Sequence, residues 1–156
     1  MITIREPIEK DLMHFTRYAI EYFRLVYNDR SSEQPLNDLL RERKFWAADQ
    51  LFANDDYQRL LIAEREGEVI GYILGTIENK EEGPRLGCVQ EIFVDEFYRR
   101  EGIGTLMCQG LMEWMQQQDV SGIRLNLLSG YPRAEEFFQQ IGFIPMKTLY
   151  KWSPQD

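Results

Sequence analysis

The sequence predicts an α+β domain with a mixed central sheet flanked by helices. Three observations carry this. Strand and helix periodicities do not alternate strictly: two helical stretches follow the first strand, and three strand-like stretches then come in succession. A turn signal, Glu66-Gly67, joins two of those strands as a hairpin. The most regular helix in the chain opens directly after the third strand, at the turn Arg99-Arg100-Glu101-Gly102-Ile103-Gly104.

Each element has its own reason. Ile2 to Arg5 alternates and reads as a short strand that Pro7 ends. Residues 9–27 place Leu12, Phe15, Tyr18, Ala19, Tyr22, Phe23 and Val26 at three- and four-residue spacing, which predicts a helix. Residues 28–35 form a polar loop, and a second helix is expected from Leu36 to about Phe52. Residues 59–64 and 69–77 are the paired strands of the hairpin, with Gly71 and Gly75 marking a bulge or close packing. A charged turn is expected over 79–87, then a strand from Val89 to Val94. The helix over 103–118 carries an apolar stripe of Ile103, Leu106, Met107, Gly110, Leu111, Trp114 and Met115. A strand over 123–127, a short helix from Pro132 stopped by Gly142, and a final strand over 143–152 complete the order β-α-α-β-β-β-α-β-α-β.

The 156 residues suit one domain, residues 1–156, large enough to bury a substantial core. No apolar run approaches the roughly 20 residues of a membrane span. The opening residues lack the regions of a signal peptide, and Cys88 and Cys108 alone imply no disulfide framework. A cytoplasmic protein with reduced thiols is expected, with no membrane partner. The net charge of −8 argues against nucleic acid as a partner and permits a positively charged small substrate.

The glycine turn is where chemistry enters. A helix start presents unpaired N–H groups and the positive end of the helix dipole, glycines admit a phosphate close to the main chain, and two arginines add charge. A P-loop needs Gly-Lys-Ser/Thr, and no lysine is present. A dinucleotide fingerprint needs a third glycine where Met107 stands. The remaining pattern is Arg/Gln-x-x-Gly-x-Gly/Ala after a strand.

With Glu91-Ile92-Phe93-Val94, Tyr98 through Leu106, and Ala134-x-x-Phe137-Phe138-x-x-x-Gly142-Phe143, the chain resembles the GCN5-related N-acetyltransferase (GNAT) superfamily over nearly its whole length. The resemblance implies the acyl-CoA N-acyltransferase fold and acetyl-CoA as cosubstrate, with no metal. It implies that the backbone of Arg99, Arg100, Glu101, Gly102, Ile103, Gly104 and Thr105 holds the CoA pyrophosphate. The pantetheine arm would run beside Phe93 and Val94 like an added strand, with the Phe93 N–H donating to the thioester carbonyl. A small cationic amine (a polyamine, aminoglycoside or amino-acid-like molecule) is the expected acceptor. A protein or peptide amine, or a CoA-binding sensor without turnover, is the alternative. The resemblance also admits a homodimer.

Acetyl transfer needs a base for the amine and benefits from an acid for the thiolate. Glu91, on the acyl-carrying strand, is the expected base, against a competing reading as an ion-paired strand residue. Asp95 and Glu64 are weaker candidates. In a regular strand Gln90 and Glu91 face opposite ways. Phe138 stands where many relatives carry an acidic tyrosine, Tyr131 where they carry asparagine, and Glu96 where a proline is common. Tyr131 is therefore the candidate acid, with Tyr150, or water in place of a side chain, as the alternatives. Tyr22, Tyr27, Asp29 and Glu33 are candidates for selecting the acceptor. His14 reads as a surface or packing residue, and Cys108 as structural.

Overall fold

The computed structural model describes residues 1–27, 34–128 and 130–154. It divides into two compact units, Met1–Asn126 and Leu127–Asp156.

The first unit is a five-stranded sheet in the order β1-β2-β3-β4-β5, formed by Ile2–Arg5, Gln58–Arg65, Glu68–Ile77, Leu86–Val94 and Gly122–Leu125. The first three contacts are antiparallel and β4·β5 is parallel, so the sheet is mixed. Glu66 and Gly67 both have positive φ, 51° and 83°, the backbone that a two-residue hairpin with native twist requires. Helix α1 is Leu12–Val26 and α2 is Leu36–Leu51. Residues 9–11, expected as the start of the first helix, form a separate 3-10 turn. There Asp11 is buried and paired with Arg5 at 2.8 Å.

Phe15, Tyr18 and Ala19 of α1 and Ala47 and Leu51 of α2 share one core with Leu60, Ile62, Tyr72, Leu74 and Phe93 of the sheet. Aromatic contacts bind it: Phe15 meets Tyr72 edge-on at 4.9 Å, and Tyr18 lies 5.1 Å from Phe93. Helix α3, Ile103–Gln117, covers the opposite face. A Cβ on Gly75 would lie 2.7 Å from Leu111 and Met115 of α3, whereas its neighbour Leu74 belongs to the α1–α2 core. The buried stripe of α3 is Ile103, Met107, Cys108, Leu111, Trp114 and Met115, and Leu106 faces outward. Strand β4 starts at Leu86, inside the expected turn, because Gly87 pairs with Ile77 on one side and Ile123 on the other.

In the second unit α4 runs Pro132–Ile141 and ends at Gly142, φ 124°, where Phe143 N–H closes on Phe138 C=O at 3.0 Å. Phe138 is buried edge-on against Phe137 and Phe143. The final strand expected over 143–152 does not form. Alternating apolar residues set which face a strand would bury, but a strand exists only through partners, and Ile144, Met146, Leu149, Tyr150 and Trp152 stand exposed.

Candidate active site

The site begins with one extra residue in β4. Leu74 pairs with Glu91 and Gly75 with Val89, which leaves Gln90 without a counterpart: a β-bulge. In a regular strand Val89 and Glu91 would share a face. Here Val89 lies opposite Gly75 on the α3 side, and Glu91 lies opposite Leu74 on the α1–α2 side. Gln90 reaches Thr76 Oγ1 at 2.9 Å, on that same side, so the expected opposition of Gln90 and Glu91 does not hold.

The bulge also marks where the sheet opens. Strand β5 pairs with β4 only over Leu86–Val89, so among the described residues the outer edge of 90–94 has no partner strand. The alternation of the ladder fixes which groups face that edge. Asp95 N–H donates to Ile70 C=O at 2.8 Å, and Phe93 is the partner of Tyr72 two residues back. The Phe93 N–H therefore points into the sheet, toward Tyr72, and those of Ile92 and Val94 point outward. This corrects the expected donor: a strand-like ligand on this edge meets Ile92 and Val94 N–H, not Phe93 N–H.

The edge runs into the turn. Asp95 accepts from Phe97 N–H at 3.0 Å and from the Tyr18 hydroxyl at 2.7 Å, which starts a 3-10 turn over Glu96–Tyr98. Arg99 donates through Nε to Val94 C=O at 3.0 Å and lies 5.7 Å from the Phe93 ring. Arg100 and Gly102 have φ of 70° and 80°, and these two left-handed residues swing the chain into α3. Glu101 points away, ion-paired with Arg65 at 2.9 Å. The first helical bond is Leu106 N–H to Gly102 C=O, 3.1 Å, so the N–H groups of Ile103, Gly104 and Thr105 have no acceptor within the helix. A Cβ added at Gly102 would meet nothing within 4 Å. The space beside the Gly102 Cα is thus open, and the chemistry of the donor set suits a phosphate.

Glu91 is held by three hydrogen bonds from two residues. Its Oε1 accepts from Arg43 Nη2 at 2.5 Å and from the Tyr72 hydroxyl at 2.8 Å, and its Oε2 accepts from Arg43 Nη1 at 3.0 Å. Burial, then the Glu91 charge, push the Tyr72 hydroxyl well above the ordinary tyrosine range, and the Tyr22 hydroxyl is raised for the same two reasons. Both phenols are therefore protonated donors at neutral pH. The weaker carboxylate candidates are engaged elsewhere: Asp95 in its turn and Glu64 with Arg5 at 2.8 Å.

Tyr131 precedes α4, exposed, in the second unit, and Tyr150 is exposed in the same unit. Tyr27 stacks on Phe23 at 4.9 Å. Asp29 and Glu33 lie outside the described residues. His14 is exposed. Cys108 is buried, which pushes its thiol up to about 12. Sequence reasoning missed Arg43 and Tyr72. Arg43 sits in a charge-rich helix among other basic residues, and only its spacing from Trp46 hinted at an inward face. Among the described residues no His, Cys, Asp and Glu cluster is arranged to hold a metal ion, and no helix is long and apolar enough to cross a membrane.

Residues 17–143 match the Acetyltransferase (GNAT) family. The chain belongs to that family. Over 96 residues this GNAT protein is 35% identical to an N-alpha-acetyltransferase of Sulfurisphaera tokodaii, covering 56% of this chain and 58% of that relative. Its fold matches a PaiA N-acetyltransferase of Thermoplasma acidophilum in complex with coenzyme A, with TM-score 0.77, 19% identity and coverage of 95% of this chain and 92% of that one. It also matches an aminoglycoside N-acetyltransferase in complex with CoA, with TM-score 0.73, 16% identity and coverage of 100% and 96%.

Proposed function

We propose that this GNAT protein transfers the acetyl group of acetyl-CoA directly to a primary amine. The observation that carries the reading is the continuity of the β4 edge without a partner strand among the described residues, the left-handed turn and the bare start of α3. Bound acetyl-CoA supplies the acetyl thioester. Ile92 and Val94 would pair with the amides of its arm, and the backbone from Arg99 to Thr105 would take the pyrophosphate. An outward N–H on β4 would hold the thioester oxygen as it gains charge, a type of donor worth about 2.7–4 kcal/mol elsewhere. In the transfer an N–C bond forms, the C–S bond breaks, and the amine's proton passes to Glu91 directly or through water. Tyr131 is the proposed donor to the departing thiolate, since Phe138 has no hydroxyl. A thiol with a pKa of roughly 8.5 needs little such help.

The acceptor we propose is a small cationic amine, in keeping with the net charge of −8. A peptide α-amino group is the second reading, favoured by the likeness to the N-alpha-acetyltransferase. Phe138 favours a third, a CoA-binding sensor without turnover. The test is thiol release from acetyl-CoA with polyamines, aminoglycosides, amino acids and peptides, with the product confirmed by mass. Amine-dependent release names the acceptor class. Acetyl-CoA binding with no release across the panel selects the sensor, and absence of binding refutes the proposal.

A further inference from the structure

We infer that Arg43 is the positioning residue of the transfer step, acting through Glu91; this rests on the acyltransferase reading above. The two side chains meet fork to fork, with Nη2–Oε1 at 2.5 Å and Nη1–Oε2 at 3.0 Å. That geometry fixes the carboxylate plane as well as its charge. Arg43 is itself immobilised. Its Nε donates to Ala19 C=O at 2.9 Å, its guanidinium lies 3.7 Å from the Trp46 ring centre, and Tyr22 and Phe23 flank it at 5.8 Å. One cation thus ties α1 and α2 to the strand that carries the bulge.

The side chains of Arg43 and Glu91 are only 10% and 12% exposed. Partly buried ion pairs contribute little net stability compared with apolar packing, so stability is a weak reason for this one. Its location supplies a better reason: Glu91 is the carboxylate adjoining the open edge, next to the bulged residue. Around it stand Arg43 from α2, Tyr72 from β3 and Tyr22 from α1. Without Arg43 the Tyr72 hydroxyl would be the one remaining donor to the carboxylate among the described residues. A lysine would return the charge but not the fork.

The experiment is a double-mutant cycle on the full chain, with spermidine and a hexapeptide bearing a free N-terminus as acceptor probes. Acetyl-CoA affinity is measured by calorimetry beside kcat and KM. Arg43→Gln is expected to lower kcat about tenfold with acetyl-CoA affinity held. Arg43→Lys should recover only part of that loss. In the Glu91→Gln background Arg43→Gln should add less than about twofold, because both changes remove one interaction. Should Arg43→Gln fail to fold, Tyr72→Phe removes one donor to the same carboxylate and is expected to give a smaller kcat loss that likewise vanishes beside Glu91→Gln. Equal losses in both backgrounds, or an unchanged kcat in Arg43→Gln, would overturn the inference while leaving the acyltransferase reading in place. Absence of wild-type turnover with both probes and across the amine panel overturns both.

Discussion

Gly71 offers the sharpest link between packing and the site. It pairs with Val94, and a Cβ there would lie 2.6 Å from Phe93 O and 3.3 Å from Val94 Cα. An ordinary C···O contact is about 3.3 Å, so Gly71→Ala falls short by about 0.7 Å. The obstacle is backbone and cannot rotate away. Strand β4 must therefore shift at residues 93 and 94. Such shifts cost about 1–3 kcal/mol, and the stiffer unfolded chain offsets about 0.4–1 kcal/mol. A net loss of about 1–2 kcal/mol should lower Tm by about 2–8 °C for a chain of this size. Gly75→Ala is the control. Its Cβ meets side-chain ends, Leu111 and Met115 at 2.7 Å, which can move. Thermal unfolding followed by circular dichroism reads the stability, and calorimetry reads acetyl-CoA affinity. Gly71→Ala should lower both, and Gly75→Ala should leave affinity alone. A Gly71→Ala protein with wild-type Tm and affinity would refute the reasoning, as would Gly75→Ala weakening acetyl-CoA more.

Other positions give further tests. Gly102→Val meets no steric obstacle but forces a β-branched residue to φ 80°, so it should cost about 1–2 kcal/mol of stability. Its acetyl-CoA affinity should fall about tenfold or more by calorimetry, and unchanged affinity would remove the turn from the site. Burial opposes ionisation of Asp11, but the Arg5 fork and the Ile8 N–H overcome it and hold the carboxyl below its ordinary 3.8. A depressed acid stabilises the fold above its unfolded pKa and loses that contribution as pH falls through the folded value. Asp11→Asn should thus lower the urea midpoint at neutral pH and converge with wild type in strong acid; equal midpoints at pH 7 would contradict this. Burial raises both thiols, that of Cys108 to about 12. A disulfide reagent near neutrality should label half-buried Cys88 slowly and Cys108 only after unfolding, and equal native rates would count against the packing of α3.

The parts of the fold visible in the sequence are those set by local pattern. The α3 stripe, the Glu66-Gly67 turn and the Pro132 and Gly142 bounds of α4 all follow from residues a few positions apart. What escaped depends on distant partners. The period-two rule assumes a regular strand, so it could not reveal that Gln90 is surplus; only the register against β3 does. Gly87 looks like a turn residue until Ile77 and Ile123 pair with it. The resemblance implies the Phe93 N–H as donor, but the direction of an N–H depends on ladder phase, which only the register against β3 shows. In the site, the turn at Gly102 was legible from two glycines, whereas the Arg43–Glu91 contact joins residues 48 apart and leaves no mark on either neighbourhood.

The bulge at Gln90 makes the site a matter of counting as well as chemistry. No substitution at 90 removes the extra residue; only a deletion does. Deleting it would make Val89 and Glu91 chain neighbours opposite the neighbours Gly75 and Leu74, so every side chain would keep its face and only the bulge would go. Val89 would stay on the α3 side and Glu91 on the side of Arg43, while the local bend and added twist that a surplus residue puts into a strand would be lost beside the open edge. The course of β4 beside the open edge therefore depends on how many residues the strand has, which a comparison of residue types position by position would not find.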